Sequence, residues 1–227
     1  MNDTFRIKLQ RWLIVMAGLC LAGALFIASV IFPWRAASHD QVEDARRNIG
    51  RSDARVAAFV DAALDRTRLK VSYDGIYTPI GYPGGDVPPT IGVCTDEVIR
   101  SYRVLGVDLQ QLVHEDMQAH FEAFPKLWGL AAPDSNIDHR RVPNLQAFLT
   151  RQGVSLPVTE NADDYEPGDL VTCMVRGNRP HIAIVVPAPQ SGARPWIMHN
   201  CGFGPKMEDK LFAWKLTGHY RWHQKAK

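Results

Sequence analysis

From Trp12 to Trp34 the chain carries no Asp, Glu, Lys or Arg, and no other feature restricts its folding as strongly. About 20 consecutive apolar residues at ~1.5 Å rise per residue cross a ~30 Å hydrocarbon core. The apolar stretch of a signal peptide is shorter, roughly 7–15 residues. The segment 12–34 therefore reads as an uncleaved transmembrane anchor, with Ala22 and Ala24 offering the alternative of a cleavage site. Arg6, Lys8 and Arg11 precede it and hold residues 1–11 in the cytoplasm, while Trp12 and Trp34 sit where interfacial aromatic anchors belong. Everything after the span is then exported; in a bacterium with two membranes it lies in the periplasm. Residues 35–50 are polar with little apolar periodicity and read as a tether or frayed helix. Residues 51–227 remain for one folded domain.

Composition bounds that domain without identifying it. Apolar residues make up 46% and charged residues 22%, as in an ordinary globular protein with a packed core. The formal net charge of +2 gives no electrostatic footprint for nucleic acid, and no long basic run follows residue 11.

Periodicity orders the domain into helices first and strands second. Val56, Phe59, Val60, Ala63 and Leu64 recur at helical spacing, predicting a helix to about residue 68. "GYPGGDVPPTIG" (81–92) is loop by its glycine and proline density. Val98, Ile99, Tyr102 and Leu105 then form a stripe that starts at Cys94 and stops at Gly106. Helices follow in "LQQLVHEDMQAHFEAF" and "LQAFLTRQG", separated by a proline-bounded loop over 125–144. "YEPGDLVTCMV" opens a strand, "RGN" turns it, and "HIAIVV", "PWIMHNC", "KLFAWKL" and "GHYRWH" supply more. The class is α+β, with helices packed on an antiparallel sheet.

Cys94 stands where the glycine-rich loop enters a helix. A thiol in the first helical turn faces free backbone N–H groups and the positive end of the dipole, which favour thiolate and lower its pKa. The preceding glycines would let a substrate backbone approach closely. The competing reading is a buried cysteine acting as a small hydrophobe. Of eight histidines, His181 and His199 each begin or end a predicted strand. Alternation puts His181 with Ala183 and Val185, and His199 with Ile197 and Cys201, whereas Asn200 faces the other way. Only one of His199 and Asn200 can therefore orient His181. A helix-start cysteine followed by two strand histidines fits nucleophile, base and orienting residue.

The order of these residues resembles the NlpC-type, papain-like cell-wall cysteine peptidases. Tyr82, Gly84 and Gly85 precede Cys94, then come Pro167-Gly168-Asp169, His181 and His199. A closer likeness is to the bacterial family catalogued as domain of unknown function 1287, through "YPGGDVPPTIGVCTDEVIRSYR", "LVHEDM", "NIDHRRVPNL", "YEPGDLVT", "PHIAIV", "MHN" and "TGHYR", over roughly residues 50–222. The resemblance implies a papain-like fold behind one transmembrane helix, and a catalytic set of Cys94, His181 and His199. The chain departs from it in having "VCTD" where the NlpC-type cysteine usually sits in "DCSG".

Other residues are candidates for holding substrate. Asp138, His139, Arg140 and Arg141 cluster in the loop, and arginine pairs with the carboxylates of peptidoglycan peptides in bidentate fashion; a solvated charge cluster or a pair pinning the loop is the alternative. Tyr73, Tyr82 and Asp86 precede the cysteine and are placed to line a cleft. Asp96 reads as support for the helix N-terminus. No metal or other cofactor is expected. His114 and His120 are six apart on a helix and diverge, unlike a zincin pair. Cys173, His199 and Cys201 lack the Cys-x₂-Cys spacing of structural zinc. With Cys20 inside the span, three cysteines are exported, and Cys173 and Cys201 form the candidate disulfide.

The expected protein is thus a single-pass inner-membrane hydrolase whose periplasmic domain cleaves an amide bond in peptidoglycan peptides. A papain-like acyltransferase and an inactive cell-wall binding module are the alternatives. Its partners are the membrane, through residues 12–34, and peptidoglycan peptides, with no nucleic acid.

Overall fold

The computed structural model describes residues 36–50 and 53–222; the expected anchor at 12–34 and the cytoplasmic segment 1–11 lie outside the described residues. Among the described residues no helix is long and apolar enough to cross a membrane. The described residues, from Ala36 on, form one compact unit.

The described residues form five α-helices and eight strands in chain order. They are α1 His39–Arg47, α2 Ala54–Arg66, β1 Ser72–Tyr73, β2 Ile91–Gly92, α3 Cys94–Arg103, α4 Leu109–Ala119, α5 Val142–Arg151, β3 Ser155–Leu156, β4 Leu170–Val175, β5 Arg179–Val186, β6 Trp196–Asn200, β7 Pro205–Glu208 and β8 Leu216–Tyr220. Six strands make one antiparallel sheet in the order β3-β8-β4-β5-β6-β7, and β1 and β2 pair separately in parallel. The fold is α+β.

The main core lies between the helices and one sheet face. Val98, Ile99 and Tyr102 of α3 pack with Phe59 and Leu64 of α2, Phe148 of α5, and Ile182, Ile184 and Met198 of the sheet. Tyr102 stacks on Phe59 at 4.2 Å and donates its hydroxyl to the Trp222 carbonyl at 3.1 Å. The phenol is therefore buried without an unmet polar group. Strand alternation sends Val171, Ala183, Val185 and Ile197 to the opposite face, where Tyr165 and Leu211 cover them.

Two segments differ from the sequence reading. Residues 39–47 are a capped, core-packed helix rather than a tether or a frayed one. Ser38 caps it in a reciprocal box with Gln41, and Val42 and Ala45 enter the core. Arg46 pairs with Asp61 and Asp65 of α2, contacts that apolar periodicity does not reveal. The strand expected in "KLFAWKL" is a turn, and the edge strand is instead β7, "PKME". The turn after β4 is as expected: Arg176 and Gly177 both take positive φ, 49° and 85°, which suits a tight hairpin.

Candidate functional site

The site assembles where α3 meets the end of β5. Cys94 begins α3, and Asp96 two residues on accepts the Val93 N–H at 2.6 Å, closing the helix start as expected. Asp96 is also held bidentate by Arg140, at 2.8 and 3.0 Å, and both side chains are buried. Arg140 further donates to the Ile76 and Asp74 carbonyls. This knot fixes the cysteine against both flanking loops.

The backbone N–H groups of Ile182 and Thr95 and the Tyr73 hydroxyl lie close enough to the Cys94 sulfur to stabilise a thiolate there. All three favour thiolate, but burial outweighs them, and the thiol is pushed up to about 11. This corrects the expectation of a lowered value: the helix start does supply donors, yet Cys94 is only 4% exposed. Tyr73 is raised in turn, first by burial and then by Cys94.

His181 immediately precedes Ile182. Its Nε2 lies 2.8 Å from Nδ1 of His199, and His199 Nε2 lies 2.8 Å from Oε2 of Glu208, which Lys210 also contacts at 3.0 Å. Both imidazoles are 1% exposed. Glu208 is held below the usual carboxylate range; burial opposes this, and the hydrogen bonds of His199 and Lys210 prevail. An ionised carboxylate only accepts, so it takes the His199 Nε2 proton. When His199 carries only that proton, its Nδ1 accepts from His181 Nε2, and the lone pair of His181 falls on Nδ1. No hydrogen bond from another described residue engages that atom. Burial first, and the neighbouring His199 second, depress His181 to about 3, so its imidazole is neutral.

Register explains the meeting. The β5–β6 ladder ends at Ile184–Met198; continued, it would set Cys201 opposite His181, and across β4 the partner of His181 is Cys173. His181 and His199 belong to the face of Val185 and Ile197, while Cys94 approaches from the helix face beside Ile182. The sulfur therefore rests on the backbone next to His181 rather than hydrogen-bonded to its ring. Asn200, the other residue weighed as partner of His181, points instead toward the Gly92 carbonyl at 3.5 Å.

A cleft of about 450 Å³ opens over Cys94, lined by Tyr73, Tyr77, Trp128, Arg140, Arg141 and Pro180 among others. The Arg141 guanidinium lies 4.1 Å over the Trp128 ring, and its Nη1 is buried without a hydrogen-bond partner. Of the substrate-binding candidates, Tyr73, Arg140 and Arg141 thus reach the cleft. The others do not line it. Asp86 is tied to Arg100 and Arg103, and Asp138 to His114 and the Asp134 N–H. Tyr82 packs edge-on against His114, and His139 is buried. The glycines of the 81–92 loop do not line the cleft, although Gly75 does. Gly84 and Gly85 donate to Asp108 and Gln110 at the start of α4, and a Cβ at Gly85 would lie 1.9 Å from the Gly81 carbonyl oxygen.

Of the helical histidines, His114 is buried on Asp138 while His120 is exposed against Asp116. All three described cysteines are free thiols, and Cys173 is pushed up to about 12 by burial and by the nearby Cys94 and Cys201. Sequence reasoning missed Glu208 and Trp128. The signal for Glu208 was the alternation Lys206-Met207-Glu208, legible only once residues 205–208 are recognised as a strand.

A family model described as Domain of unknown function (DUF1287) matches residues 60–222. The chain is 44% identical over 168 residues to "Uncharacterized protein YijF" of Escherichia coli (strain K12), covering 74% of this chain and 82% of that protein. No solved structure matches.

Proposed function

The chain belongs to the family described as Domain of unknown function (DUF1287), and for this member we propose a papain-like, NlpC-type cysteine hydrolase of peptidoglycan peptides, anchored in the inner membrane and working in the periplasm. The observation that carries the reading is the buried chain His181–His199–Glu208, which ends in an unengaged imidazole lone pair one residue from the contact point of Cys94.

The resting site holds a neutral thiol and a neutral imidazole, so thiolate is not stored in advance. As substrate enters the cleft, the sulfur turns from the Ile182 N–H toward the substrate carbonyl. The sulfur and the His181 ring start on opposite faces of the sheet, so both must turn toward the open end of β5, where His181 Nδ1 takes the proton as the C–S bond forms. The positive charge that develops on His181 is met through His199 by the Glu208 carboxylate, in a water-poor setting where such stabilisation is strong. The Cys94 backbone N–H, at the start of α3, is placed to receive the carbonyl oxygen as it becomes an oxyanion. His181 then returns the proton to the departing amine, and water attacks the thioester by the reverse route. The Arg141 guanidinium, backed by Trp128, presents its unpaired N–H to a substrate carboxylate, a group that peptidoglycan stem peptides carry.

The test is digestion of defined muropeptides by wild type and Cys94→Ser, with new amine termini identified by mass spectrometry. Wild type is expected to release product. The serine variant should not, because its hydroxyl is far harder to ionise. Equal cleavage by both would make the thiol structural. Binding of sacculi by both without cleavage would favour the binding module.

A further inference from the structure

We propose that His181, His199 and Cys201 form a site for a borderline-soft divalent cation of the Zn²⁺ class. Nitrogen or sulfur donors of the three lie within 4.8 Å of one another, two of them buried and Cys201 partly exposed as a route of entry. Tetrahedral zinc with Zn–N of ~2.0–2.1 Å and Zn–S of ~2.3 Å places its donors roughly 3.3–3.8 Å apart. The imidazoles, now 2.8 Å apart, need to separate by about half an ångström, and the thiol to close by about one.

A second observation points the same way. A histidine that ligates zinc generally donates its other ring N–H to a carboxylate, which fixes the tautomer and raises the basicity of the ligating nitrogen. His199 does this already: Nε2 bonds Glu208 at 2.8 Å, and Nδ1 faces His181 Nε2 at 2.8 Å. The hydrogen bond between the two rings is one shared proton, and a cation would take its place. The absence of Cys-x₂-Cys spacing told against metal in the sequence. Here, however, His181 lies on β5, His199 on β6 and Cys201 just past the end of β6, where the β5–β6 register, if continued, would set residue 201 opposite residue 181.

Proton accounting gives the consequence. For His181 to ligate through Nε2, its proton moves to Nδ1, and the Cys201 thiol releases its proton to solvent. Nothing is oxidised or reduced, and one proton leaves per cation bound. His181 Nδ1 is then protonated and unable to take the Cys94 proton. Occupancy therefore switches the hydrolase off reversibly; this consequence alone rests on the hydrolase reading.

The experiment titrates full-length protein in detergent with Co²⁺. One equivalent should bind with tetrahedral ligand-field bands and a thiolate-to-metal charge-transfer band. Cys201→Ala should lose that charge-transfer band and bind at least about 10-fold more weakly, whereas Cys173→Ala and Cys94→Ala should keep it. If Cys201→Ala is misfolded by circular dichroism, Cys201→Ser, similar in size and a poor ligand, replaces it. In the second arm Zn²⁺ should slow muropeptide cleavage by wild type, and whatever rate Cys201→Ala shows should not respond. Absence of the charge-transfer band from wild type, its persistence in Cys201→Ala, or its loss in Cys94→Ala would each overturn the site. If no substrate is cleaved, the hydrolase reading fails while the cobalt spectra still decide the metal.

Discussion

Two buried polar assemblies flank Cys94, and they are built to opposite rules. On the loop side Asp96 and Arg140 satisfy each other: Oδ1 takes Arg140 Nε, and Oδ2 takes Nη2 and the Val93 N–H. On the sheet side His181, His199 and Glu208 form an equally buried chain that stops short of completion, since His181 Nδ1 is left without a partner among the described residues. A saturated cluster in a dry interior is rigid and inert. An unsaturated end in the same interior is a group kept available for a proton. The contrast separates what positions the cysteine from what could activate it.

Breaking the two assemblies should hurt different measurements. Removing one member of a buried ion pair leaves an uncompensated charge, at a cost of roughly 3–5 kcal/mol. Arg140→Ala is therefore expected to lower the urea midpoint strongly, with the residual folded protein retaining its catalytic residues. His181→Ala removes a neutral ring and should lower kcat by about 10²–10⁴ with a smaller change in stability. Chemical denaturation alongside muropeptide kinetics checks both. If Arg140→Ala is as stable as wild type, the knot is not the scaffold described.

Glu208→Gln sharpens the comparison, because it keeps shape and changes only proton direction. A glutamine amide can donate to His199 Nε2. That would turn His199 round to donate from Nδ1 and leave His181 protonated on the nitrogen that should be the base. The expected loss in kcat is again about 10²–10⁴, with KM nearly unchanged and the fold intact by circular dichroism. An unaffected kcat would show that the chain does not fix the tautomer.

His139 lies on the scaffold side and extends the comparison to pH. It is buried, with Nδ1 unpartnered, and it is depressed to about 3 by burial first and by Arg140 and Arg103 next. The unfolded chain takes up this proton near pH 6.5, while the folded chain resists it until about pH 3. The unfolded state thus binds more protons across that window, and stability must fall as pH drops through it. Between pH 7 and pH 5 the loss is of order 1–2 kcal/mol. His139→Gln, which cannot titrate there, should flatten this slope in urea melts at the two pH values.

Much of this was legible from residue pattern, and the failures have physical causes. The helix at Ala54–Arg66 and the strand at Arg179–Val186 were readable because their apolar residues repeat at the right period. The helix at His39–Arg47 was not, since it buries only Val42 and Ala45 and draws on charges of α2. Alternation showed that either His199 or Asn200 could face His181, but choosing between them needed the strand register. The Cys94 pKa was misjudged in direction because a helix start is visible in sequence and burial of a sulfur is not. Arg140 and Arg141, adjacent in sequence, looked equivalent; the structure sends one into the Asp96 knot and leaves the other over Trp128.

The smallest expected effect belongs to Asn200, and it tests the strand's facing directly. Its side chain donates to the Gly92 carbonyl at a long 3.5 Å and accepts the Gly202 N–H at 3.2 Å, so it trims a turn beside the site without entering the proton chain. Asn200→Ala should cost about 1 kcal/mol of stability, the usual net worth of such a hydrogen bond, and change kcat less than about threefold. His199→Ala, one residue earlier, removes the link between His181 and Glu208 and should cost clearly more in kcat, though less than His181→Ala, because the accepting lone pair itself remains. Steady-state kinetics of the pair on one muropeptide decides the matter. Should Asn200→Ala be the more damaging, the orienting residue would be the amide on the Cys94 side of the sheet, and the chain through Glu208 would join the scaffold.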